Sequence, residues 1–134
     1  MKELNDIAVI IQARLGSQRI PSKMLRPFAG TTLMDITIEK ILNSKVIPNE
    51  NFFVSVYEPE LVEVCDKWGA NIFHRSEKSA FSEGTPMTEM YEWWDKMPSF
   101  KYCVLFPMAE EECLDIDYEW QFKMCESVYK GLQQ

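Results

Sequence analysis

The chain has 134 residues, of which 46% are hydrophobic and 13% aromatic, and this is enough apolar material for one compact domain, which excludes a disordered chain. Its formal net charge of −7 disfavours general binding to nucleic acid or anionic membranes, because most of the surface would repel phosphate groups. No apolar run approaches the roughly 20 residues of a membrane span, and the first residues are polar, unlike a signal peptide. We therefore expect a single cytoplasmic domain over residues 1–134.

The first half of the chain alternates apolar segments with amphipathic ones. Ile7 to Ile11 is aliphatic throughout, as in a strand buried on both faces of a parallel sheet, and we place it at the centre of that sheet. A long loop rich in glycine and proline follows from Gln12 to Gly30. The remaining elements of this half are a helix capped by Thr31 or Thr32 and ending near residues 43–45, a strand at Phe52 to Tyr57, a helix at Pro59 to Trp68 and a strand at Asn71 to Phe73.

The second half continues the alternation less regularly. Residues 75–86 are polar and predict an irregular segment, and Met87 to Met97 carries Met and Trp residues at helical spacing. We then predict a strand at Tyr102 to Phe106, a short strand at Cys113 to Ile116 and a terminal helix at Glu119 to Leu132. Because strands and helices alternate, the sequence favours an α/β fold with an open, mostly parallel, Rossmann-like sheet.

The loop after the first strand is unusually basic in an acidic chain. It holds four of the fourteen Lys and Arg residues, namely Arg14, Arg19, Lys23 and Arg26. Open α/β sheets bind ligands at the carboxyl ends of their strands, which is where this loop begins. Gly16 permits close approach of the backbone to an anion, and Ser17 can donate a hydrogen bond. The loop therefore predicts a nucleotide phosphate site; from charge alone, a solvated surface loop is the alternative.

The string IIQARLGSQRIPSKML resembles the signature of the cytidylyltransferases that activate acidic sugars, a group that includes the acylneuraminate, Kdo and spore-coat polysaccharide enzymes. The family pattern is A-R-x-G-S-x-R-[LI]-P-x-K. Eight positions match it, namely Ala13, Arg14, Gly16, Ser17, Arg19, Ile20, Pro21 and Lys23. Less specific likenesses occur at Phe73 to Arg75, at Ser82 to Thr88 and in the tail EECLDIDYEWQFKMCE. The resemblance implies the sheet of the nucleotide-diphospho-sugar transferases.

The same resemblance implies roles for individual residues. The nucleotide-binding residues would be Ala13, Arg14, Gly16, Ser17, Arg19 and Lys23. Arg14 and Lys23 would also be catalytic, and Asp115 and Asp117 would hold Mg²⁺. For the two acids the residues agree, because carboxylates two positions apart in a strand point to the same side and hard oxygen ligands suit magnesium. The alternative for this pair is an ordinary acidic strand end.

The reaction implied by the resemblance is the attack of a sugar hydroxyl on the α-phosphorus of CTP, which releases pyrophosphate and yields a CMP-sugar. The partners would then be CTP and an acidic sugar. The chain is shorter than family members between the fourth strand and the tail, where the family carries its acceptor pocket and dimerisation arm, and it reads Phe106 to Ala109 in place of a Q-P-T-S-P-like motif. Three possibilities stay open: a shortened enzyme, a non-catalytic nucleotide-binding module, and a chain that completes its acceptor site by pairing with a second copy of itself or with another polypeptide.

Other chemically active residues receive structural predictions. The four cysteines lack the short spacing of a zinc site, and we expect reduced thiols at Cys65, Cys103, Cys113 and Cys125. His74 is the single histidine, and we expect a structural or surface role for it. Of Trp93 and Trp94, we expect one to face the core and the other its edge.

Overall fold

Strands and helices alternate along the protein, whose computed structural model describes residues 6–81, 87–97 and 115–133. In chain order the described elements are β1 (Val9–Gln12), β2 (Pro27–Phe28), β3 (Thr31–Thr32), α1 (Leu33–Leu42), β4 (Phe52–Val56), α2 (Pro59–Trp68), β5 (Asn71–His74), α3 (Glu77–Ala80), α4 (Met87–Met90), α5 (Trp93–Lys96) and α6 (Glu119–Leu132). A 3₁₀ turn at Asn49–Asn51 leads into β4. The predicted α/β class is confirmed.

The main sheet consists of β1, β4 and β5, which pair in parallel in the order β1-β4-β5. Val9 lies opposite Phe52 in one pair of strands, and Phe53 lies opposite Asn71 in the other. A separate two-stranded antiparallel hairpin joins β2 to β3. Because all three main strands run the same way, their carboxyl ends meet at one edge of the sheet.

The main core lies between this sheet and helices α1 and α2. Its fully buried members come from one face of each element, namely Met34, Ile38, Phe52, Val54, Val56, Leu61 and Cys65. Burial raises the pKa of the Cys65 thiol to about 11, so this cysteine stays protonated as a free thiol at neutral pH. Cys65 thus matches its predicted structural role.

The ends of the two core helices follow from local chemistry. Thr32 caps α1 by accepting the Asp35 backbone N–H at 3.1 Å. Pro59 occupies the first turn of α2, and Gly69 ends that helix in the left-handed region with φ of 65°. The predicted bounds of α2 and of the terminal helix α6 agree with the structure.

A second, smaller core joins the terminal helix to the basic loop. Phe122 of α6 contacts Phe28 of β2 edge to face, with 5.3 Å between ring centroids. Ile20 of the loop is buried in the same cluster, and Ile116 packs against it. This cluster holds the tail against the loop. The outward side of α6 is exposed at Trp120 and Leu132, and no helix in the described ranges is long and apolar enough to cross a membrane.

Two element predictions are wrong within the described residues. The central place predicted for β1 stays a prediction, because β4 is the middle strand only among the three described ones. The helix predicted at Met87 to Met97 is two short helices, interrupted where the Met90 carbonyl accepts the Ser79 hydroxyl. Residues 115–117 are irregular rather than the end of a strand, because the Ile116 carbonyl accepts a hydrogen bond from Lys23 instead of from a neighbouring strand.

The sequence also missed two short elements. Segment 75–86, predicted to be irregular, contains α3, which Ser76 caps by accepting the Ser79 backbone N–H. The β2–β3 hairpin was hidden in the long loop; Ala29 and Gly30 turn it with φ of 50° and 85°. The predicted strand at Tyr102 to Phe106, the segment Phe106 to Ala109, Cys103 and Cys113 lie outside the described residues.

Candidate functional site

The carboxyl edge of the main sheet continues directly into the candidate site. The Ala13 N–H donates to the Ser55 carbonyl at 3.1 Å, and the Arg75 N–H donates to the Val56 carbonyl at 3.0 Å. Each bond extends the strand pairing by one residue beyond β1 or β5. The start of the basic loop and Arg75 are therefore held rigidly to the sheet, and Ala13 is buried.

The first turn of the loop is organised around Leu15. Its N–H donates to Glu58 Oε1 at 2.8 Å, and its carbonyl accepts the backbone N–H groups of Ser17 at 2.8 Å and Ser22 at 3.3 Å. The Ser17 hydroxyl accepts the Ile20 N–H at 3.4 Å. Gly16 sits between these bonds with nothing within 4 Å of where a side chain would begin, so open space adjoins the backbone here.

Three of the four loop cations contact the tail. Arg19 forms an ion pair with Asp117, and Lys23 Nζ donates to the Ile116 carbonyl at 2.6 Å. The Arg26 guanidinium binds the Glu119 carboxylate through two hydrogen bonds of 2.5 and 2.6 Å. The structure thus brings the predicted phosphate-binding loop and the predicted metal-binding segment together, although about ninety residues separate them in sequence.

Charged contacts continue along α6. The Arg26 hydrogen bonds lower the pKa of the Glu119 carboxyl, and Glu119 in turn raises the pKa of Arg26. The Glu126 carboxylate accepts the Ala29 N–H at 2.8 Å, and this bond lowers the pKa of Glu126. Both carboxylates stay ionised at neutral pH, so the tail remains anchored to the loop and the hairpin.

The two acids predicted to bind magnesium differ in environment. Asp117 is half-buried and paired with Arg19, whereas Asp115 is exposed and has no hydrogen bond or ion pair among the described residues. Gln121 accepts the backbone N–H groups of Asp117 and Tyr118, both at 2.8 Å. Gln121 therefore caps α6 and fixes the backbone of the acidic segment.

Mg²⁺ commonly takes one or two carboxylates together with substrate phosphates and water, so two acids beside the predicted phosphate-binding loop would be a sufficient protein contribution. No group of three acidic, His or Cys side chains gathers as a metal site within the described ranges. Asp115 and Asp117 fit a site that phosphate oxygens complete, and they do not fit a cage built from protein alone.

Arg75 and Glu58 are two charged residues of the site that sequence reasoning did not select. Arg75 is only 4% exposed, and its Nε donates to the Ser79 hydroxyl at 3.1 Å. Its buried Nη1 has no hydrogen-bond partner among the described residues. Burial lowers the pKa of Arg75, an effect that the Glu58 carboxylate opposes and Arg14 reinforces. Arg75 directly follows β5 and Glu58 lies two residues beyond β4, so applying the strand-end rule to both strands would have found them.

The profile of the cytidylyltransferase family matches residues 8–92, which include β1, the basic loop, Glu58 and Arg75. The chain belongs to the cytidylyltransferase family. This confirms the relationship indicated by the loop signature, and the matched range covers the carboxyl ends of all three main strands.

Curated relatives support the same assignment over part of their length. The spore coat polysaccharide biosynthesis protein SpsF of Bacillus subtilis is 35% identical over 81 residues, which are 56% of this chain and 34% of that protein. The pseudaminic acid cytidylyltransferase of Campylobacter jejuni is 41% identical over 61 residues, which are 46% of this chain and 25% of that enzyme. The chain therefore spans about a third or less of the length of these relatives.

A solved cytidylyltransferase from Leptospira borgpetersenii shares the architecture, with a TM-score of 0.52 and 28% identity over 69% of this chain and 37% of that one. The fold of this cytidylyltransferase-family chain is accordingly the Rossmann-like α/β fold that the sequence predicts.

His74 is exposed at the end of β5, and Trp93, half-buried, donates to Gln12 Oε1 at 3.2 Å while Trp94 is 39% exposed. His74 matches its predicted surface position, whereas neither tryptophan belongs to a core cluster of the described residues, so the prediction that one of them faces the core is wrong.

Proposed function

We propose that the protein binds CTP at the basic loop and transfers CMP to a hydroxyl of an acidic sugar with release of pyrophosphate. The observation that carries this proposal is the meeting of the loop cations with Asp117 at the carboxyl edge of the sheet. The names of two relatives support the substrate class, since they are a pseudaminic acid cytidylyltransferase and a 3-deoxy-manno-octulosonate cytidylyltransferase. Both of those names describe activation of an acidic sugar.

The roles proposed for the loop follow from position and charge. Arg14, half-buried beyond β1, has no hydrogen bond or ion pair among the described residues, so its guanidinium is available to a phosphate. Gly16 leaves the backbone open to the same anion, while Ser17 shapes the turn through its hydroxyl. Ala13, buried at the strand end, would lie against the nucleoside.

Lys23 and Arg19 already bind oxygen atoms of the tail, and a triphosphate would replace these partners. Lys23 would exchange the Ile116 carbonyl for a phosphate oxygen, and Arg19 would exchange Asp117. A charged acceptor holds a cation more strongly than a neutral carbonyl, so the exchange favours the nucleotide for Lys23. During transfer, Arg14 and Lys23 would stabilise the charge that develops on the phosphates.

When Arg19 binds a phosphate oxygen in place of Asp117, the Asp117 carboxylate would lose its counter-ion and lie next to the bound phosphates. Asp117 and Asp115 would then hold Mg²⁺, which supplies neutralisation of phosphate charge when bound. The chain's own contribution is to keep these carboxylates in reach of the loop through the Gln121 cap and the Phe122 anchor.

Calorimetric titration with CTP, ATP and GTP, with and without Mg²⁺, tests the proposal, followed by pyrophosphate release with a panel of acidic sugars. We expect selective CTP binding and pyrophosphate release. CTP binding without release would favour a non-catalytic nucleotide-binding module instead. Absence of CTP binding would refute both functions. Lys40→Ala, a change of an exposed lysine at the end of α1, is the matched control for loop lysine variants.

A further inference from the structure

We propose that Glu58 is a positioning residue of the nucleotide site, which holds the phosphate-binding turn in shape by accepting the Leu15 N–H. The inference rests on the proposed function for its role in binding. No part of the loop signature includes this residue, which lies 43 positions beyond Leu15.

The carboxylate of Glu58 is directed away from the helix that it begins. Glu58 is the N-cap residue of α2, yet its side chain makes no capping hydrogen bond; its backbone carbonyl accepts the first N–H groups of the helix instead. N-cap positions are usually filled by short polar side chains that cap their own helix. Here the longer side chain reaches the loop, where Oε1 accepts the Leu15 N–H at 2.8 Å.

This hydrogen bond determines the orientation of the peptide unit that precedes Leu15, at the point where the chain leaves the sheet. Leu15 in turn organises the turn through its carbonyl, which accepts the N–H groups of Ser17 and Ser22. Gly16, between them, borders open space. An unanchored Leu15 would let the turn reorient, and a preorganised anion site would become one that must be ordered upon binding.

The second carboxylate oxygen of Glu58, Oε2, belongs to a group of charges at the carboxyl ends of the strands. This oxygen and Nη1 of Arg75 are both buried, and neither atom has a hydrogen-bond partner among the described residues. Burial lowers the pKa of Arg75, the Glu58 charge opposes this effect, and the Arg14 charge adds to it. Arg14, Glu58 and Arg75 follow β1, β4 and β5 respectively, so each strand of the sheet contributes one charge to this group.

Two substitutions separate the hydrogen bond from other effects. Glu58→Ala removes the acceptor of Leu15, whereas Glu58→Gln keeps an oxygen at the same reach. We expect CTP, and tripolyphosphate as a base-free probe, to bind about tenfold more weakly to the alanine variant, the effect of losing roughly one hydrogen bond to a charged group. We expect the glutamine variant to bind within about threefold of wild type. Glu60→Ala, in the exposed first turn of α2, is the control and should bind like wild type.

Amide hydrogen exchange at Leu15 gives a readout that does not depend on any nucleotide. The amide should be protected in wild type and Glu58→Gln, and should exchange about tenfold faster in Glu58→Ala. Should the alanine variant not fold, Glu58→Asp replaces it, because its shorter side chain retains the charge but withdraws the acceptor. Unchanged exchange after loss of the acceptor would overturn the inference.

Equal losses of triphosphate affinity in the alanine and glutamine variants would also overturn it, as would faster exchange at Leu15 with wild-type affinity. A wild-type protein that binds neither CTP nor tripolyphosphate would refute the proposed function. In that case exchange at Leu15 alone decides whether Glu58 anchors the turn, so the two failures are distinguishable.

Discussion

Asp117→Asn should change nucleotide binding in opposite directions with and without Mg²⁺. In the free protein the Asp117 carboxylate occupies Arg19, one of the proposed phosphate-binding cations. Removing its charge frees that arginine, so a Mg²⁺-free triphosphate no longer competes with an internal anion. The same change removes one of two proposed Mg²⁺ ligands. If Asp117 only anchored the tail, Asp117→Asn would change the affinity for CTP in the same direction with and without Mg²⁺.

The structure determines the size of each effect. The Arg19 and Asp117 side chains are 58% and 37% exposed, and an exposed pair of this kind is worth about 0.2–1 kcal/mol. Freeing Arg19 should therefore raise the Mg²⁺-free affinity for CTP only about 1.4- to 5-fold. Loss of a direct ligand should lower apparent Mg²⁺ affinity at least about tenfold, since even outer-shell partners of metal ligands are worth that much.

Calorimetric titration of wild type and variant with CTP, at zero and saturating Mg²⁺, measures both effects. Glu119→Gln is the matched control: it removes a carboxylate two residues away that binds Arg26, and it loosens the tail without touching a proposed metal ligand. The control should leave the Mg²⁺ dependence unchanged. If Asp117→Asn weakens binding equally in both conditions, or if the control behaves identically, the assignment of Asp117 is refuted.

Three further predictions concern the loop, the core and assembly. Arg14→Ala and Lys23→Ala should each weaken triphosphate binding by about 1–3 kcal/mol in calorimetry, and wild-type affinity in both would reject the loop as the site. Asp35 is buried where Lys67, Trp68 and Thr32 donate to it, and these bonds outweigh desolvation, the largest single effect, to lower its pKa to about 2. Because this value lies below the unfolded one, about 2 kcal/mol of stability is present above pH 4 and is lost as the pH falls from about 4 to 2. Urea unfolding across this range should show a loss of stability that is about 2 kcal/mol smaller in Asp35→Asn than in wild type. The homo-oligomer suggested by sequence stays a prediction, for which sedimentation velocity at increasing concentration should show association; a strict monomer would contradict it.

Short-range sequence patterns were sufficient to predict much of the fold and one of the two segments of the candidate site, the basic loop. Thr32, Pro59 and Gly69 mark the helix ends through conformational preferences that act within a few residues. The signature between Ala13 and Lys23 identified the basic loop because its cations and glycine are contiguous in sequence. These features depend on neighbouring residues, so a linear reading recovers them.

Only the tertiary structure decided what meets the loop. The Lys23 ammonium binds the Ile116 carbonyl and Leu15 binds Glu58, pairs separated by 93 and 43 residues. Neither pair leaves a periodic pattern in the sequence. The position of Glu58 depends on the parallel crossover from β1 to β4, and the position of Ile116 depends on the packing of α6 against the loop. The same reason applies to residues 115 and 116, which are irregular where the sequence predicts the end of a strand: the packing of α6 on the loop places the Ile116 carbonyl against Lys23.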